Sequence, residues 1–107
     1  MFERKENRFI TKGIDSDVPK EIQVVCWELI DKLVEEKVIE ADYLQIFEFE
    51  KKTQDKKLII THRQEKPTYQ KCYEIELESS LLEFDISKLW VLDDGGVNQI
   101  MLLPEEY

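Results

Sequence analysis

A chain of 107 residues, 42% hydrophobic and 36% charged with a formal net charge of −9, has the length of one domain and enough apolar side chains to exclude a disordered segment. No apolar run approaches the ~18 residues of a membrane span, and the opening MFERKENRF is charged where a secretion signal needs an apolar stretch, so a cytoplasmic single domain over 1–107 is expected. Residues 1–71 carry 14 Lys and Arg against 15 Asp and Glu, whereas residues 72–107 carry 1 against 9. An acidic final third repels a phosphate backbone, which argues against direct nucleic-acid binding and suits a basic protein partner.

In chain order, RFITKGI (8–14) alternates weakly and is closed by Gly13, which predicts a first strand. Next, DSDVPKEIQVVCWELIDKLVEEK places Pro19 in a first turn, where its missing N–H costs nothing, and predicts a helix over about 18–37. Ile22, Val25, Cys26, Leu29 and Leu33 share one face at helical spacing, while Trp27, Ile30 and Val34 widen the apolar arc beyond what a single sheet face requires. Either the sheet and the chain termini wrap around this helix, or Trp27 and Val34 lie on a surface that meets another molecule.

Beyond Ala41 the period changes to two. YLQIFEFEKK carries Tyr43, Phe47 and Phe49 on one side and Glu48 and Glu50 on the other; KTQDK turns the chain and KLIITHR returns, a hairpin whose turn lacks glycine. After Pro67, TYQKCYEIELE turns Tyr69, Tyr73, Ile75 and Leu77 inward and Gln70, Cys72, Glu74, Glu76 and Glu78 outward. A single-turn segment around SSLLEFDIS precedes KLWVLDDGGVNQIMLLP, two strands joined at Asp94-Gly95, residues that tolerate the positive φ of a tight turn. The fold class is therefore α+β: one main amphipathic helix packed on a mostly antiparallel, meandering sheet of about five or six strands.

The chain's one histidine, His62, falls where Leu58 and Ile60 point the same way, so it is expected, with Arg63, at the emerging end of a central strand. As a general base it would need a partner within hydrogen-bond reach, and no thiol-enzyme signature surrounds Cys72. Cys26 and Cys72 are expected to be buried free thiols. One His and two distant Cys cannot supply a structural zinc site, and Glu74, Glu76 and Glu78 stand nearly 7 Å apart along a strand, so neither metal nor cofactor is expected. Lys51, Lys52, Lys56 and Lys57 decorate a hairpin tip. The segment HRQEKP leaves His62, Arg63, Gln64 and Glu65, together with the separate Trp27, as the candidate binding residues, with no catalytic residue assigned.

Four stretches together, RFITKGI, VPKEIQVVCWELIDKL, DYLQIFEFE and IITHRQEKPTY, resemble the uncharacterised bacterial family catalogued as domain of unknown function 960, over roughly residues 8–73. The resemblance implies a short cytosolic protein of Gram-positive bacteria and lends no catalytic residue and no cofactor. The expectation is a non-enzymatic interaction or regulatory module that meets a protein partner, or a second copy of itself, through the acidic final third, the HRQEKP corner or the helix near Trp27. The alternatives are a small-molecule site or enzyme using His62, Arg63 and Glu65 in a cleft, and an acidic mimic of nucleic acid built on Glu74, Glu76 and Glu78.

Overall fold

Thr11 decides how the first segment folds. Its hydroxyl accepts from the Ile14 N–H at 3.4 Å and so caps a helix start. In the computed structural model, which describes residues 1–95 and 97–107, strand β1 (Arg8–Ile10) therefore stops after three residues and helix α1 (Lys12–Asp17) begins. The strand expected through Gly13 is too long. Gly13 lies in the first helical turn, where its N–H donates to Glu106 Oε2 at 3.1 Å, and an added Cβ would stand 2.8 Å from that carboxylate. Glu106 also accepts from the Thr11 hydroxyl at 2.6 Å and the Leu103 N–H at 2.8 Å, bonds that hold its carboxyl below the ordinary range.

Helix α2 (Lys20–Glu36) begins one residue after Pro19, which is its N-cap and not a first-turn residue, and ends at Lys37 in the left-handed conformation. Its buried face is Ile22, Gln23, Cys26, Ile30 and Leu33, with Val25, Trp27, Leu29 and Val34 half-buried on either side. Three residues of the expected face, Ile22, Cys26 and Leu33, are thus buried, while Gln23 and Ile30 take the buried places expected for Val25 and Leu29. Gln23 makes the junction with α1: its Nε2 donates to Val18 O at 2.9 Å and Ile14 O at 3.4 Å.

Five further strands follow: β2 (Leu44–Lys52), β3 (Lys57–Gln64), β4 (Tyr69–Glu76), β5 (Lys88–Asp93) and β6 (Gln99–Leu102). The six-stranded sheet has the order β1-β6-β5-β2-β3-β4, antiparallel throughout except for the parallel β1–β6 pair. This is not a plain meander, since β5 crosses back to pair with β2. The cause is visible in the strands themselves: β2 buries Ile46 and Phe47 on opposite faces and needs neighbours on both sides, whereas the acidic outward row of β4 suits an edge.

The β2–β3 hairpin forms without glycine because Lys56 takes the left-handed position, φ 53°. Between β5 and β6, Asp94 Oδ1 accepts from the Asn98 N–H at 2.7 Å and Gly95 supplies φ 82°; the remainder of the expected DDGG turn, Gly96, lies outside the described residues. One face of the sheet, with Phe47, Leu58, Ile60, Leu89, Val91 and Met101, is buried together with Ile22, Cys26 and Ile30 of α2, and Phe2 from the charged opening segment joins that core. Cys26 is buried, which pushes its thiol up, but Cys72 is exposed on the outward face of edge strand β4, contrary to the expectation of two buried thiols. Among the described residues no helix is long and apolar enough to cross a membrane.

Gln23→Ala leaves the Val18 carbonyl at the α1–α2 junction without its side-chain donor and is expected to lower the unfolding free energy by about 1–2 kcal/mol. Urea denaturation of the two proteins measures the difference directly.

Candidate functional site

Strand β3 runs on through Gln64, so the first half of HRQEKP is strand and only Glu65, Lys66 and Pro67 lie in the polar loop. Alternation turns His62 and Gln64 inward with Leu58 and Ile60; His62 is 0% and Gln64 2% exposed. His62 is therefore not at an emerging strand end. Its ring stacks on Phe47, centroids 4.5 Å apart at 13°, and meets the edge of Tyr69 at 5.5 Å.

Gln45 explains why an imidazole can lie there. Its Nε2 donates to Asp42 O at 2.9 Å and to Gln64 Oε1 at 2.8 Å, so its Oε1 is left to accept from His62 Nε2 at 2.6 Å. That fixes the tautomer with the proton on Nε2, and the buried Nδ1 lone pair has no hydrogen-bond partner among the described residues. Gln64 completes the chain of amides: Oε1 also accepts from the Asp42 N–H at 2.9 Å, and Nε2 donates to Glu40 O at 3.0 Å and Pro67 O at 2.8 Å. The network thus ties two loops, the one entering β2 and the one between β3 and β4, to the sheet. A protonated ring would place a second N–H in the core with no acceptor, and burial pushes the His62 pKa down to about 4.

The five candidate residues do not form one site. Arg63 points to the opposite face, where its Nε meets Glu48 Oε1 at 3.3 Å. Cys72 pairs in register with Thr61, one residue from His62, and so lies on the other side of the sheet from the imidazole. Glu65 is exposed in the loop. A groove of about 250 Å³ beside this corner is lined by Met1, Glu40, Asp42, Tyr43, Lys66 and Pro67 among others, and includes neither His62 nor Arg63. Among the described residues no group of three His, Cys, Asp or Glu converges as metal ligands do. Trp27 is half-buried on α2, under the Arg8 guanidinium at 4.7 Å; Arg8 also pairs with Asp31 and donates from Nε to Gln99 Oε1 at 2.9 Å. The N-terminal strand therefore wraps the extra apolar arc of the helix.

The second face of the sheet carries a feature that no strand shows by itself. Strand register aligns Phe9, Ile100, Leu92 and Leu44 in one row across β1, β6, β5 and β2, and the adjacent row runs Leu102, Trp90, Ile46, Arg63. Among the described residues no helix covers these rows: Phe9 is 53% exposed and Ile100, Leu92, Leu44 and Trp90 are half-buried, whereas Ile46 and Leu102 are buried among their neighbours, and Tyr107 reaches over Trp90 with centroids 5.7 Å apart. Toward β4 the same face turns polar. Glu48 bridges Arg63 at 3.3 Å and Lys88 at 3.5 Å, and Lys57 pairs with Glu74 at 3.1 Å. Its strand residues hold Lys52, Lys57, Arg63 and Lys88 against Glu48, Glu50, Glu74 and Glu76, so this face is neutral on a chain of −9. The signal for it in the sequence is Ile46 in β2, an apolar residue on the side assigned to Glu48 and Glu50.

Two substitutions probe these assignments. His62 stays neutral in the folded chain down to about pH 4, whereas the unfolded chain takes up its proton near 6.5. The contribution is complete above pH 6.5 and is lost as pH falls toward 4, by about 3 kcal/mol. Urea unfolding at a series of pH values is expected to show this slope in the wild type and its absence in His62→Leu. Arg8→Ala uncovers Trp27 and breaks the Asp31 pair; a red shift in tryptophan emission and a stability loss of about 1–2 kcal/mol are expected.

No curated protein matches the chain. A crystal structure of a protein of unknown function from Enterococcus faecalis matches with a TM-score of 0.80 at 21% identity, over 99% of this chain and 94% of that one, a likeness of fold. A family model described as staphylococcal protein of unknown function (DUF960) matches residues 7–106, acidic final third included, and the chain belongs to that family.

Proposed function

We propose that the protein is a non-enzymatic interaction module whose recognition surface is the open face of the sheet. The observation that carries this reading is the Phe9, Ile100, Leu92, Leu44 row: four large apolar side chains aligned by register, the first exposed and the others half-buried, on a face that no helix among the described residues covers. Exposed contiguous apolar surface of this kind marks binding sites in folded proteins. Of the surfaces expected from the sequence, the HRQEKP corner uses His62 and Gln64 to hold loops, and Trp27 is roofed by Arg8. The unpaired thiols Cys26 and Cys72 favour the cytoplasm of a Gram-positive cell as its compartment.

The rival reading, a small-molecule site or enzyme at His62 and Arg63, has less behind it. Those side chains lie on opposite faces, and the one N–H of the neutral ring already donates to Gln45. For an acidic mimic, Glu74 is already paired with Lys57, which shortens the row.

Immobilised protein and a Gram-positive lysate test the proposal. Leu92→Lys, on the open face, is expected to cut the retained protein at least about tenfold, while Glu78→Lys, beyond the β4 edge, leaves retention as it is. Equal retention by both variants, or no retention together with a metabolite that stabilises the wild type but not His62→Leu in a thermal-shift screen, overturns it.

A further inference from the structure

We infer that the open face of the sheet is closed by the same face of a second copy of this chain, forming a twofold dimer with sheet packed on sheet. The inference rests on the proposed role of that face and names its partner. Charge favours this pairing over others. The molecule carries −9, yet the strand residues of this face hold four charges of each sign, so the whole net charge lies on its other surfaces. Two copies meeting elsewhere bring acidic surfaces together; meeting here, they do not.

The pattern of the face is also suited to a twofold interface, which sets one patch against itself and requires a surface that is its own complement. Here an apolar half on β1, β6, β5 and β2 adjoins a polar half in which Glu48 lies between Arg63 and Lys88. Turning one copy by half a turn about an axis through the apolar row sets Leu92 and Ile100 against their counterparts and leaves the mixed charges at the rim, the arrangement of a stable interface.

In extent, six strands spaced about 4.8 Å apart and roughly 20 Å long give a face of roughly 500 Å² in projection before side-chain relief is added, the same order as the about 800 Å² per partner of a standard interface. Sheets stacked in this way lie about 10 Å apart, with interleaved side chains filling the gap.

Sedimentation equilibrium of the full chain from micromolar to millimolar concentration tests the dimer, with Phe9→Glu/Leu92→Glu as the face variant. The expected result is a wild-type dimer whose dissociation constant rises about a hundredfold in the variant, with unchanged circular dichroism. A wild-type monomer at millimolar concentration overturns the inference, as does a dimer indifferent to the double substitution. Should the variant fail to fold, amide shifts of the wild type on dilution separate the same outcomes: movement confined to β5, β6 and β2 supports the dimer, and movement confined to α2 or to the outer edge of β4 overturns it. A monomer that still captures another protein in a Leu92-dependent way removes the dimer while leaving the interaction reading intact. A monomer that captures nothing removes both.

Discussion

One long helix cannot cover two faces of a sheet. The 17 residues of α2 make a cylinder about 25 Å long, enough to lie across one side of six strands and no more. The arrangement of polarity follows from that limit. Aliphatic and aromatic side chains on the helix side are mostly sealed, with Gln45, His62 and Gln64 buried among them, whereas the far side grades from Phe9 and Ile100 at one edge to Gln70 and Glu74 at the other. Had the chain supplied a second long helix, the far rows would be core. Without one, Phe9, Ile100, Leu92 and Leu44 keep part of their apolar surface in water, while Ile46 and Leu102 are dried by their neighbours in the chain.

The polar groups within the sealed side are a second consequence of the same economy. Near the end of β3 the covering helix has run out, and the loops entering β2 and β4 close over the sheet in its place. Loops bring backbone carbonyls with them, and a buried carbonyl needs a donor. Gln45 and Gln64 supply those donors to Asp42, Glu40 and Pro67, and His62 supplies the proton that Gln45 still lacks. The imidazole is thus a cap on a hydrogen-bond chain, flattened against Phe47. Its lowered pKa follows from burial.

Period and punctuation make most of the elements legible in the sequence. The main helix, the six strands and the two hairpins follow from apolar spacing, Pro19 and Asp94-Gly95, because those signals are local. What local signals do not carry is pairing. Nothing within KLWVLD says that it returns to β2, and alternation alone runs the first strand past its true end, because Thr11 caps a helix only when the backbone has already turned. His62 escapes a local reading for a similar reason. A polar run before a proline looks like a loop unless one notices that Gln45, two residues before Phe47 on the same side of its strand, offers the matching partner. The open face is the least legible, since it exists only once four strands are laid side by side.

Edge strand β4, eight residues long, is paired on one side only, and the alternate N–H and C=O groups of an open edge are a ready template for pairing with another chain. Its outer row, Cys72, Glu74 and Glu76 with Glu78 just beyond, brings carboxylates near carboxylates when two such edges align along that row. Lateral polymerisation is thereby opposed at neutral pH. An apolar sheet face beside an open edge favours disordered association, and a row of carboxylates works against it at this edge.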